Sequence, residues 1–229
     1  MAEGGHALLE TIERETGPDP AWSVLWLHGL GADGSDFVPI LPELVRRDWP
    51  AMRFVFPHAP MRAVTINNGM RMRAWYDIRD FDDLANRADA QGVAESVAQV
   101  GALVEREVAR GIPASRIFLA GFSQGGAITL AAGLRRNEPL AGLVGLSTYL
   151  PDAANAAGAV TPAAKAQPLF MAHGTSDPVV PFAAGEQSAA WMRQQGFEVA
   201  FNRYPMPHSV CIEEIRDLGD WMSRRLAAG

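Results

Sequence analysis

The sequence predicts an α/β protein, a mostly parallel sheet with helices on both faces. Three observations carry this. Six short apolar runs alternate along the chain with longer segments of helical period. Most runs are continuously apolar rather than alternating, as strands covered on both faces must be. No repeat, charge block or linker divides the 229 residues, so a single domain over 1–229 is expected.

In chain order, strands are expected at 22–28 (WSVLWLH), 53–56, 116–121, 140–147, 168–173 and 197–204. Val93, Val97, Val100, Val104 and Val108 recur at spacings of 4, 3, 4 and 4, one face of a helix that Gly111 and Pro113 terminate. A second helix follows Gln124, a third runs over 181–195 to Gly196, and the last spans 211–226. That last helix sets Ile212, Ile215, Leu218, Met222 and Leu226 on one face. Glu213 and Glu214 in its first turn and Arg224 and Arg225 in its last complement the helix dipole. Segments 57–76 and 150–167 read as long irregular stretches, which in compact domains often serve function.

Composition excludes several classes. Hydrophobic residues at 48% and charged residues at 20% are typical of globular chains and exclude disorder as the main state. A net charge of −6 argues against nucleic acid or an anionic membrane as the main partner. The single cysteine, Cys211, forbids an intrachain disulfide. Residues 117–134 carry no charge, yet Gly121, Gly125, Gly126 and Gly133 with Ser123 and Gln124 suit a buried strand, turn and helix better than a membrane span. The first residues show no basic region followed by an apolar stretch, so a cytoplasmic protein without a signal peptide is expected.

The chemistry gathers around Gly121-Phe122-Ser123-Gln124-Gly125, a G-x-S-x-G pattern. A serine on a strained strand-to-helix turn crowds its neighbours at −2 and +2, so both must be small. The pattern alone is weak. The apolar run before it and the helix after it supply the weight; the competing reading is a glycine-rich turn without chemistry. Such a serine needs a base, an acid and an oxyanion hole. His208 is the chosen base, in a turn between the last strand and the last helix, following the chain order serine, acid, histidine. His6 and His58 lie early in the chain, and His28 and His173 end apolar runs, where a structural role is expected. Asp177 is the chosen acid, just past the end of a strand where catalytic groups of open α/β sheets gather, with Asp152 as the fallback. The backbone N–H groups of Gln124 and Leu30 are the expected oxyanion donors, the latter in the glycine-rich loop 28–34. Cys211 reads as packing rather than a second nucleophile. No metal spacing such as H-E-x-x-H occurs, so neither metal nor cofactor is expected.

With these residues in place the chain resembles the carboxylesterase and acyl-protein thioesterase family of serine hydrolases, also called the phospholipase/carboxylesterase family. The matching stretches are LHGLGADG (27–34), FPHAP (56–60), AWYDI (74–78), GIPASRIFLAGFSQGGA (111–127), LSTYLP (146–151), HGTSDPVVP (173–181) and YPMPHSV (204–210). The resemblance implies an α/β-hydrolase fold without a separate cap domain. It implies the triad Ser123, Asp177 and His208, oxyanion donors at Leu30 and Gln124, and an acyl groove bordered by Trp75, Tyr149 and Val179. Many relatives carry glycine just before the histidine, where this chain has Pro207. Met61, Met70 and Met72 suggest an adaptable groove wall, with Met70 taken as substrate-binding; the plain alternative is that they fill core gaps. The expected activity is hydrolysis of short- to medium-chain acyl esters through an acyl-enzyme on Ser123. An acyl-protein thioesterase or lysophospholipase would use the same triad. A non-catalytic binding protein of the same fold is the reading from a different class. Expected partners are a small-molecule or lipid acyl ester, with no nucleic acid and no stable membrane insertion; the sequence leaves a homodimer open.

Overall fold

The computed structural model describes residues 8–80 and 88–227, so the expectations for the first residues and for His6 lie outside the described residues. Its frame is a 7-stranded sheet in the order β1-β3-β2-β6-β7-β8-β9. These strands are β1 (Thr11–Glu15), β2 (Trp22–Leu27), β3 (Met52–Pro57), β6 (Ile117–Phe122), β7 (Gly142–Leu146), β8 (Leu169–Gly174) and β9 (Val199–Tyr204). Every pair is parallel except β1 with β3. Two short antiparallel strands, β4 (Met61–Val64) and β5 (Met70–Arg73), form a separate hairpin.

The continuous apolar runs follow from cover on both faces. Side chains alternate along a strand, so Leu25 and Leu27 point to one side of β2 and Val24 and Trp26 to the other. The first side packs against Val100, Leu103 and Val104 of α2 (Ala90–Ala109), α3 (Gln124–Gly133) and α5 (Phe182–Gln194). The second packs against Leu44 of α1 (Leu41–Leu44) and Ile215, Leu218, Trp221 and Met222 of α6 (Ile212–Leu226). All ten residues of α3 are buried, which explains why its sequence shows no polar stripe. Among the described residues no separate cap domain is present, and no helix is long and apolar enough to cross a membrane.

Three expectations need correction. Segment 57–76 is not irregular, because it holds the β4–β5 hairpin, turned through Asn68 (φ 55°) and Gly69 (φ 72°). An Asn-Gly pair accepts two successive left-handed conformations, and that signal was present in the sequence. Segment 150–167 contains α4 (Ala153–Ala156) and two single 3-10 turns, whose alanines carry no apolar period. In α6, Ile212 leaves the apolar stripe. It occupies the first helical position, is 42% exposed, and Trp221 fills the stripe instead. The edge strand β1 escapes a hydrophobic reading because TIERE is half exposed and charged, as unpaired edges commonly are.

Candidate active site

Ser123 stands where β6 ends and α3 begins, at φ 55° and ψ −119°. Few non-glycine residues adopt such a conformation, so its neighbours must hold it there. Its N–H donates to the Leu146 carbonyl at 2.9 Å, and its own carbonyl accepts from Thr148 Oγ1 at 2.7 Å. A Cβ on Gly121 would lie 2.4 Å from the Gly125 carbonyl carbon, and one on Gly125 would lie 2.4 Å from the Leu27 carbonyl oxygen. Both glycines are therefore demanded by backbone contacts that cannot yield.

The histidine comes from the turn after β9. Gly174, at the end of β8, lets this turn lie close, because a Cβ there would meet the Met206 and Pro207 carbonyl oxygens at 2.3 and 2.4 Å. Pro207 is accommodated, its carbonyl accepting from Ser209 N–H at 2.9 Å. His208 Nε2 then stands 2.8 Å from Ser123 Oγ, and Nδ1 2.7 Å from Asp177 Oδ2. With Nδ1–H given to the carboxylate, Nε2 faces the serine as an acceptor. The Phe122 ring, 4.8 Å from the imidazole centroid, supports it from the side.

Asp177 follows β8 with its carboxylate wholly enclosed. Oδ1 accepts from the Val179 and Val180 N–H groups at 2.8 and 2.9 Å. Oδ2 receives His208 and, at 3.4 Å, Nε2 of the buried His173, which also reaches the Val180 carbonyl at 2.9 Å. Burial alone would raise the pKa of Asp177. The bonds from His173, His208 and the two amides outweigh it and hold the carboxyl well below the usual range. The fallback Asp152 lies elsewhere, with its Oδ1 accepting from Asn155 at 2.8 Å. Burial pushes the Cys211 thiol up, and its side chain packs at the start of α6.

A cavity of about 330 Å³ opens at Ser123 and His208, walled by Leu30, Tyr76, Ile78, Phe122 and Val179 among others. Leu30 and Gln124 both line it, and neither backbone N–H donates to a partner among the described residues. For Gln124 this follows from its place in the first turn of α3. Of the four groove residues expected from the sequence, Val179 alone reaches this wall. Trp75 is wholly buried because its N–H groups are claimed inside: Nε1 donates to the His28 carbonyl at 2.9 Å and the backbone N–H to Gln124 Oε1 at 2.7 Å. Tyr149 is buried with its hydroxyl 2.9 Å from that of Tyr76. Met70, like Met61, is exposed on the hairpin, so it neither lines the cavity nor fills the core.

Sequence reasoning missed the Gln124 side chain as a support, and it expected a structural role for His28 and His173 without naming their partners. The Gln124 side chain clamps 75–76, its Nε2 donating to the Tyr76 carbonyl at 2.7 Å. His173 braces Asp177. His28 braces the Leu30 loop, Nδ1–H donating to the Gly29 carbonyl at 2.7 Å while Nε2 accepts from Ala59 N–H at 3.1 Å. Their only sequence signal was a polar residue inside an apolar run.

Burial lowers the pKa of His28 from 6.5 to about 4. The folded chain thus binds fewer protons here than the unfolded chain between these values. This contribution to stability is complete above pH 6.5 and is lost as pH falls toward 4. The loss amounts to about 3 kcal/mol. Denaturant titrations of wild type and His28→Gln across this window should show a steeper acid decline for wild type. Parallel slopes would mean that the histidine enters the fold already charged.

A profile of the phospholipase/carboxylesterase family matches residues 10–225. Acyl-protein thioesterase 1 of Cryptococcus neoformans is 39% identical over 220 residues, covering 89% of this chain and 92% of that protein. Carboxylesterase SOBER1 of Arabidopsis thaliana is 34% identical, covering 89% and 90%. The SOBER1 crystal structure superposes with a TM-score of 0.84 over 90% of this chain and 99% of that one. The acyl-protein thioesterase 2 structure from Zea mays, at 28% identity, gives 0.79 over 94% and 99%.

Proposed function

The chain belongs to the phospholipase/carboxylesterase family, and from that premise we propose that it hydrolyses short- to medium-chain carboxylic esters through an acyl-enzyme on Ser123. The supporting observation is the relay Ser123 Oγ–His208 Nε2 at 2.8 Å and His208 Nδ1–Asp177 Oδ2 at 2.7 Å, opening on one cavity.

In this reading Ser123 Oγ attacks the ester carbonyl while His208 Nε2 takes its proton. The enclosed Asp177 carboxylate stabilises the imidazolium and fixes its tautomer. Negative charge forms on the carbonyl oxygen, where the Leu30 and Gln124 N–H groups receive it. The intermediate collapses, His208 returns the proton to the leaving alcohol, and the acyl group stays on Ser123. Water, deprotonated by the same imidazole, then attacks the acyl-enzyme and frees the acid and the serine. Thioesters fit the same steps with a thiol as leaving group, and the relatives named acyl-protein thioesterase favour that second substrate class.

The cavity of about 330 Å³ supports the chain-length limit. It lies near the lower end of small-ligand sites, too small for a long-chain triglyceride. Each methylene that enters gains about 0.8 kcal/mol at most. With p-nitrophenyl esters of increasing acyl length, kcat/KM should rise, peak at medium length, and fall. Ile78→Ala and Val179→Ala should flatten the rise, and a fluorophosphonate should attach at Ser123. A steady decline from acetate onward, or a label on another residue, would contradict the reading.

A further inference from the structure

Asp36 stands in the wall of the cavity that holds Ser123 and His208. Its place is set by its neighbours. Phe37 is buried, its ring centroid 5.2 Å from Trp26 and 5.5 Å from Phe122. On either side, Asp36 N–H donates to the Asp33 carbonyl and Val38 N–H to the Ser35 carbonyl, each at 3.2 Å. The backbone that carries Asp36 is thus tied to the same phenylalanine that supports His208.

The two acids of this loop differ. Asp33 turns its carboxylate onto Ser35, Oδ1 accepting from Ser35 N–H at 2.7 Å and from Ser35 Oγ at 2.6 Å. Asp36 is exposed, and among the described residues no hydrogen bond or salt bridge reaches its carboxylate. Among the described lining residues it is the one carboxylate, and none is lysine or arginine. Leu30, Ile78, Phe122 and Val179 make most of the remaining wall apolar.

For a neutral substrate, a lone carboxylate here is a handicap. Attack on the carbonyl puts negative charge on the substrate oxygen, and a like charge across the cavity raises that barrier, modestly because solvent screens the exposed Asp36. A cation on the substrate reverses the sign of the effect. The acyl chains of the proposed substrates are uncharged, so the cation must sit on the alcohol or thiol portion. We propose that Asp36 makes this site selective for acyl esters whose leaving group carries an ammonium or guanidinium cation. The inference rests on Ser123 as the nucleophile.

The test compares kcat/KM at neutral pH for butyrylcholine, its uncharged isostere 3,3-dimethylbutyl butyrate, and the anionic 2-sulfoethyl butyrate. Wild type should favour the cationic over the neutral ester, and the neutral over the anionic, by about 3- to 10-fold each. Added salt should shrink both preferences. In Asp36→Asn the order should collapse, the cationic ester slowing while the anionic one speeds up. General damage to the site would move all three rates the same way and leave the ratios intact. Equal ratios in both proteins, with turnover that depends on Ser123, overturn the role of Asp36 alone. Turnover that survives Ser123→Ala, or is absent for all three esters, overturns the esterase reading and this inference with it.

Discussion

Ser123→Ala is expected to lower kcat for ester hydrolysis by about 10⁴-fold or more, with the fold intact. The expectation of an intact fold is local. Alanine keeps the Cβ at φ 55°, and the backbone bonds to Leu146 and Thr148 do not involve Oγ. The Ser123 side chain makes no cap bond to α3, so its removal costs the hydrogen bond to His208 and no helix stability. The melting temperature should therefore stay close to wild type while activity disappears. Residual activity above about one per cent, far more than background stabilisation leaves, would place the nucleophile elsewhere.

Asp177→Asn is expected to cost about 10³- to 10⁴-fold in kcat with little change in KM. The amide oxygen can still accept the Val179 and Val180 N–H groups. Its NH₂ then replaces Oδ2, which accepts from His208 Nδ1 and His173 Nε2. Two donors meet there, so His208 must take the other tautomer and point N–H at Ser123, where it cannot act as a base. Asp152→Asn is the control. Asp152 sits at φ 51°, a conformation that asparagine also accepts, and its carboxylate bonds the nearby Asn155. A silent Asp177→Asn beside a crippled Asp152→Asn would refute the assignment of the acid.

Most strands of the main sheet were legible because strands buried on both faces announce themselves as apolar runs. Trp22–Leu27 differs from its expected limits by one residue at one end, and Ile117–Phe122 by one residue at each end. What escaped was held by other forces. The strand Thr11–Glu15 pairs along an edge through backbone bonds that leave no apolar mark. The hairpin over 61–73 depends on Asn68-Gly69, a turn signal that stood in plain view.

By itself the sequence determined where the residues of the proposed relay stand along the chain. Gly121 and Gly125 around Ser123, and Gly174 ahead of Asp177, record backbone so close that an added Cβ would lie 2.3–2.5 Å from it. Constraints of that kind are steric and leave their mark as residue types at given positions. Only the tertiary structure decided which side chains wall the cavity. Trp75 and Tyr76 are adjacent, and nothing in their spacing tells which one faces Ser123. The choice belongs to distant partners: the His28 carbonyl and the Gln124 amide hold the Trp75 N–H groups inside, while Tyr76 and Ile78 come to the wall. Tyr76 is as buried as Trp75, and a buried N–H left unpaired costs a few kcal/mol, so such bonds decide which of the two is held away from the cavity. Those partners lie 47–49 residues away in sequence and meet only when the sheet has formed.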